Sequence, residues 1–181
     1  NETGWQIECV PGLIPVEDFF ELLSKKRFCS STWLRSMENL DYLEEPDMFH
    51  DTFGHVPLLC NPVFSKFMEA FGKLGVAMKE DAERVIQLQR LYWFTIEFGL
   101  IHENTTKIYG AGIASSFGET NLSIGNTVEV ATFDLKTILN QTFETDHVQN
   151  LYFKIDSYEQ LFEAIVALEK EWKEKKLITN L

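Results

Sequence analysis

Apolar residues recur at spacings of three and four along several stretches of the chain, the period of a helix that buries one face. From Val16 to about Lys26 the set is Phe19, Phe20, Leu22 and Leu23, with Glu17 and Asp18 in the first turn, where the helix dipole favours acids. Asn61-Pro62 pairs a capping side chain with a proline at the first helical position, and Val63, Phe64, Phe67, Met68, Phe71 and Leu74 then trace one face. Met68 and these phenylalanines read as core, with Gly72 and Gly75 weakening the helix end. A longer helix is expected from about Glu80 to His102 on the stripe Val85, Leu88, Tyr92, Thr95, Ile96 and Gly99, with Glu97 on its border facing a cavity.

Residues 134–140 predict a short helix, and Leu151, Phe153 and Ile155, alternating with Tyr152 and Lys154, predict a half-buried strand. Ser157-Tyr-Glu-Gln160 is a capping box opening a last helix that carries Leu161, Phe162, Ile165, Val166, Leu168 and Trp172, with the Lys/Glu run of 169–176 as its solvated side. Gly4, Pro11, Gly12 and Pro15 punctuate residues 1–15 too often for a regular element, so a loop is expected there. Residues 28–42 have a weak pattern and read as an irregular connection. In 107–116, Gly110 and Gly112 bracket Ala111, which suits a strand and turn or a backbone pressed against a ligand better than a helix. The sum is a mainly α chain with a few short β-strands in a single domain, without internal repeats.

At 181 residues, 45% hydrophobic and with 15 phenylalanines, the chain has material for one substantial core. A formal net charge of −12 with only 16 basic residues disfavours nucleic acid and anionic membranes as partners. No apolar run approaches the roughly 20 residues of a spanning helix, and no basic-then-apolar leader opens the chain, so it reads as cytoplasmic. Cys9, Cys29 and Cys60 are odd in number and lack zinc-knuckle spacing, which predicts buried or partly buried free thiols.

Candidate chemistry enters with His50, His55 and Glu97. Two imidazoles and a carboxylate can occupy one face of a metal and leave its other positions open, the arrangement that suits Fe(II) oxygen chemistry. Five steps along an α-helix turn a side chain by roughly 140°. His50 and His55 would therefore not share a face, and the expected remedy is a helix broken at Gly54 and Pro57. These residues alone leave open that the histidines cap or pack a helix end and that Glu97 is a paired core acid. Arg35 has two readings as well: a fork for a substrate carboxylate, or a surface partner of Glu38 or Asp41. His102 and His147 are given no ligand role.

The words EEPDMFHDTFGHVPLL, RLYWFTIEFGL and IYGAGIASSFGE resemble segments of the pterin-dependent aromatic amino acid hydroxylases of the bacterial phenylalanine-hydroxylating type. Further matching words run in the family's order from GWQIECVPGLIPVEDFF to LYFKIDSYEQLFEAI, so the resemblance covers nearly the whole chain. It implies the family's catalytic-domain fold over 1–181, lacking a stretch the family carries before Gly4-Trp5. It also implies hydroxylation of L-phenylalanine to L-tyrosine with Fe(2+), a tetrahydropterin (tetrahydrobiopterin or a bacterial analogue) and O2, with one oxygen atom going to the pterin and one to the ring.

In that reading His50, His55 and Glu97 hold the metal, and Arg35 grips the substrate carboxylate. Glu45 and Pro46 form part of the pocket wall, Glu45 pairing with Arg35. Tyr92 and Trp93 face the iron and the substrate ring, and Gly112 and Ser115 touch the substrate region, with Ser116 and Glu119 in support. Ile14 and Phe19 line the pterin, Phe19 stacking on it, and Asp51 is the pterin-side acid. Family members acting on tryptophan tend to carry phenylalanine where Trp93 stands, which favours phenylalanine as substrate here. The animal members' Thr-Pro pair is replaced by Leu43-Glu44, so that contact does not carry over. Without a C-terminal heptad run a monomer is expected. Two readings from other classes stand beside this one: a non-catalytic module that binds an aromatic amino acid, and a zinc hydrolase using the same three ligands.

Overall fold

The computed structural model describes residues 2–41, 43, 45–125 and 127–179, with side chains described as far as residue 175. The first helix, α1 (Val16–Ser24), lies between two short strands, β1 (Gln6–Cys9) and β2 (Arg27–Ser30), which pair in parallel with Gln6 opposite Arg27. The expected loop over 1–15 and the irregular start of 28–42 are corrected here. Each strand has only four residues, and β1 is mostly exposed, so no alternation marks it.

Helix α3 (Pro62–Met78) is the packing centre, and α2 (Val56–Leu59) leads into it. Its cap is the one expected: Asn61 Oδ1 accepts from the backbone N–H groups of Val63 (2.9 Å) and Phe64 (3.1 Å). Phe64, Phe67, Met68, Phe71 and Leu74 are buried on its inner face against α1, α4 (Ala82–Tyr92) and the last helix, α8 (Tyr158–Thr179). Gly72 is there for contact: a Cβ on it would sit 2.4 Å from the Ser24 backbone nitrogen, so α1 can lie on α3 only across a bare backbone.

The helix expected to reach His102 stops at Glu97, and Gly99–Glu103 is strand β3 instead. Gly99 has the helical spacing but not the helix. A Cβ on it would meet Thr95 O and the Tyr109 ring at 2.2 Å, since the chain turns back there. β4 (Thr105–Ile108) pairs antiparallel with β3, and β6 (Leu151–Ile155) pairs in parallel with both β3 and β5 (Glu129–Thr132), giving the order β4-β3-β6-β5. Phe153 and Ile155 face the main core, while Tyr152 joins Phe98, Leu100 and Ile113 in a smaller one, so β6 is covered on both sides rather than half-buried.

A short helix, α5 (Ala111–Ala114), falls in the segment expected to avoid helix, and α6 (Phe117–Ser123) follows it. α7 (Leu135–Asn140) is capped by Asp134 Oδ1 accepting from Thr137 N–H at 2.7 Å. At the start of α8, Gln160 Oε1 accepts from the Asp156 N–H at 3.0 Å, which is the return half of the expected box shifted by one residue. The solvated side of α8 carries the i,i+4 pairs Glu169–Lys173 and Glu171–Lys175. Among the described residues, no helix is long and apolar enough to cross a membrane.

Candidate metal centre

Residues 48–59 form one continuous helix whose middle, His50–His55, is π-helical. Bonding from i to i+5 brings residues five apart onto one face, so the two histidines meet without the expected break. Pro57 lies inside this continuous helix, two residues past the π-helical stretch, so the stop expected there does not occur. Gly54 serves a different purpose from the one expected. Its backbone lies against α5, and a Cβ there would be 2.8 Å from Ala111 Cβ and 3.1 Å from Ala111 O. A second π-helical turn, Trp93–Glu97, ends α4 and aims Glu97 at the histidine pair.

The three donors converge. His55 Nε2 is 3.0 Å from His50 Nε2, His50 Nε2 is 3.4 Å from Glu97 Oε2, and His55 Nε2 is 3.1 Å from Glu97 Oε1. With metal–ligand bonds of about 2.1 Å, neighbouring donors stand ~3.0 Å apart around an octahedral ion and ~3.4 Å apart around a tetrahedral one, so the set fits a bound cation. Ser115 Oγ lies 2.9 Å from His50 Nδ1; when it accepts the Nδ1 proton, the Nε2 lone pair is left facing the other donors. The Phe28 ring stands behind His55 with centroids 4.6 Å apart. Burial alone would raise the Glu97 pKa, but the flanking His55 and His50 outweigh it and hold the carboxyl well below the usual range. Burial likewise opposes a charged His50, and Glu97 more than offsets it, raising the imidazole above its ordinary value.

This cluster forms the floor of a cavity of about 470 Å3. Of the other expected site residues, Ile14, Phe19, Arg35, Pro46, Asp51, Tyr92, Trp93, Gly112 and Ser115 all line it. Phe19 packs edge-on against Tyr92 with centroids 5.3 Å apart. Tyr92 sits beside the Glu97 carboxylate, and burial followed by that charge pushes its hydroxyl pKa well up. Asp51 is fixed by the Ser31 backbone N–H, which donates to its Oδ2 at 2.7 Å.

Glu45 is the exception. It is exposed, absent from the cavity wall, and not the partner of Arg35. That partner is Asp47, whose side chain has no exposed surface: Oδ2 accepts from Arg35 Nε (3.0 Å) and the Arg35 backbone N–H (2.8 Å), and Oδ1 from Arg35 NH2 (2.7 Å). Asp47 Oδ1 also accepts from the His50 N–H at 2.9 Å, capping the helix that carries the histidines. Burial pushes the Asp47 pKa up, but the Arg35 fork and these N–H groups prevail and take it down to about 2. The surface partners considered for Arg35, Glu38 and Asp41, are displaced by the same finding. Glu44, in the Leu43-Glu44 departure, lies outside the described residues.

The sequence also underplayed Ser31 and Cys29, which both line the cavity. Ser31 is buried and its hydroxyl has no hydrogen-bond partner among the described residues. Burial and then the Asp51 charge push the Cys29 thiol to about 12, so it is protonated at neutral pH. Cys9 and Cys60 are exposed, contrary to expectation. His102 is exposed on β3, and His147 pairs at the surface with Glu144 and Asp146, away from the three donors.

The sequence matches the biopterin-dependent aromatic amino acid hydroxylase family over residues 1–178. It is 51% identical over 164 residues to the phenylalanine-4-hydroxylase of Chromobacterium violaceum, covering 90% of this chain and 55% of that protein. It is 49% identical over 164 residues to the phenylalanine-4-hydroxylase of Ralstonia nicotianae, covering 90% of this chain and 52% of that protein. The chain thus spans about half the length of these curated relatives. The fold superposes with a TM-score of 0.87 on the crystal structure of C. violaceum phenylalanine hydroxylase with bound iron(III) and oxidised cofactor 7,8-dihydrobiopterin, at 48% identity, covering 96% of this chain and 64% of that one. A match over nearly every residue, together with two histidines and a glutamate converging under an aromatic cavity, places this chain in the biopterin-dependent aromatic amino acid hydroxylase family.

Proposed function

We propose that this chain is the catalytic unit of a monooxygenase that hydroxylates the ring of L-phenylalanine to give L-tyrosine, using Fe(2+), a tetrahydropterin and O2. The observation that carries the reading is the convergence of His50, His55 and Glu97 at a cavity whose lining also holds an arginine. Ferrous iron and the pterin, when bound, would supply the reduction of O2 that protein side chains cannot perform. Two neutral imidazoles and one carboxylate would hold the ion and leave positions toward the cavity open.

The rest is binding and orientation. Three of the five N–H donors of the Arg35 guanidinium are engaged, by Asp47 through Nε and NH2 and by Ser115 O through NH1 at 2.6 Å. One donor each on NH1 and NH2 remains, a fork matched to the α-carboxylate of an amino acid. Asp47 fixes that fork in place. Trp93, stacked on Phe143 at 4.5 Å between centroids, offers a flat wall for the phenyl ring. Phe19 and Ile14 give the pterin an apolar face, and Asp51 gives it a polar partner. With Tyr92, the aromatic lining keeps bulk water from the reacting atoms. A net charge of −12 favours a small-molecule partner over nucleic acid.

The test is turnover by the Fe(2+)-loaded protein supplied with phenylalanine, tetrahydropterin and O2. Tyrosine formation that ceases when pterin is omitted supports the proposal. Phenylalanine binding with no product under any pterin condition would make the chain a binding module, and hydrolytic activity with zinc in the absence of O2 would make it a zinc enzyme.

A further inference from the structure

The Trp93 side of the cavity is held by buried polar groups with no part in the metal centre. Residues 141–150, between α7 and β6, form no regular element, yet Phe143 and Thr145 from this segment line the cavity. Gln149 ties the segment down. Its Oε1 accepts from Trp93 Nε1 at 2.9 Å, and its Nε2 donates to the carbonyls of Glu144 (3.1 Å) and His147 (3.0 Å). Its backbone N–H donates to Glu119 Oε1 at 2.8 Å, and Glu119 Oε2 accepts from the Tyr152 hydroxyl. Glu119 and Tyr152 have no exposed surface, and Gln149 is 6% exposed.

Both amide hydrogens and the amide oxygen of Gln149 are engaged, so its side chain is fixed at both ends. One amide therefore joins the indole to the turn that carries Phe143, the ring stacked on that indole at 17°. No other side chain of this size does both: glutamate offers no donors to the two carbonyls, and leucine leaves the indole N–H without a partner.

We infer that Gln149 is a positioning residue that locks Trp93 and Phe143 into a single rigid wall and so sets the size of ring the enzyme accepts. The inference rests on reading the cavity as an aromatic amino acid site. It is tested with Gln149→Leu, the near-isosteric Gln149→Glu, Trp93→Phe and the double variant Gln149→Leu/Trp93→Phe. The measurements are kcat and KM for phenylalanine, tryptophan and tetrahydropterin, anaerobic calorimetry of phenylalanine on the iron-loaded protein without pterin, and amide hydrogen exchange of residues 141–150.

Gln149→Leu should raise the phenylalanine Kd and KM about tenfold and lower the preference for phenylalanine over tryptophan about tenfold, the scale on which a pocket wall discriminates by size. Iron stoichiometry and the pterin KM should stay as in the parent, and exchange in 141–150 should quicken. The double variant should lose little more than Trp93→Phe alone, because both changes cut one connection. Gln149→Glu should move in the same direction and serves if the leucine variant does not fold.

Parent-like ring preference and phenylalanine affinity in folded Gln149 variants would overturn the inference, as would an equal change in pterin KM or iron content. If the parent protein neither binds nor converts phenylalanine, the functional reading fails instead. The exchange of 141–150 still reports whether Gln149 holds the wall, and unchanged exchange in the variants would overturn that as well.

Discussion

Replacing Asp47 by asparagine keeps the shape of the side chain and removes what Arg35 and His50 are built upon. The carboxylate accepts four hydrogen bonds, two on each oxygen, from Arg35 Nε, NH2 and backbone N–H and from the His50 N–H. Asparagine can serve one pair through its oxygen, but its NH2 group must then face two donors. The buried guanidinium would also lose its counter-charge, and breaking one partner of a buried pair costs about 3–5 kcal/mol. Proton linkage gives a second figure. A carboxyl taken from an ordinary 3.8 to about 2 stabilises the fold by about 2 kcal/mol wherever it is ionised in both states. We expect a loss of ~3 kcal/mol at pH 7, which for a chain of this size lowers Tm by about 6–12 °C. Urea and thermal unfolding of parent and variant measure it. The sign with pH is fixed, because a depressed pKa contributes stability above 3.8 that is lost as pH falls toward about 2. The gap between the two proteins should therefore narrow in that window. A loss below about 1 kcal/mol, or a gap that widens on acidification, would refute the reasoning.

Gly54→Ala should cost about 1–3 kcal/mol and weaken iron binding, because the new methyl group forces Ala111 and the helix leading to Ser115 away from His50; urea midpoints and an iron titration check both effects. Arg35→Lys retains the charge but not the fork, so the phenylalanine KM should rise about tenfold or more with a smaller change in kcat; an unchanged KM would make Arg35 structural. Burial raises the pKa of Glu119 despite its bonds from Tyr152 and Gln149, so its folded-state proton is held more tightly and its contribution to stability fades as pH rises above 4.5. Glu119→Gln should therefore gain stability relative to the parent between pH 4.5 and neutrality, a trend that parallel urea melts would reveal or deny.

What could be read from the chain was local. Asn61 and Asp134 cap the helices they precede because a cap depends on residues two or three positions away, and the inner face of α3 follows from the period alone. The strands β1, β2 and β5 were missed because four-residue segments draw their order from partners far off in the sequence. The π-helical turns depart from the 3.6-residue period that marks an α-helix. The signal was available, since His50 and His55 are five apart and so are Tyr92 and Glu97, the side chains that meet at the metal site. The partner expected for Arg35 is Glu45, two residues short of the true one, Asp47. The capping position three residues before His50 would have pointed to Asp47. The role of Ser115 was legible only in part, because its hold on His50 spans 65 residues.

The most direct test of the metal assignment is anaerobic titration of the purified protein with Fe(2+), comparing the parent with His50→Ala, His55→Ala and Glu97→Ala. One tightly bound ferrous ion per parent chain, and loss of that binding in each variant with its fold intact by circular dichroism, is the predicted result. Parent-like iron stoichiometry in any one of the three folded variants would contradict it.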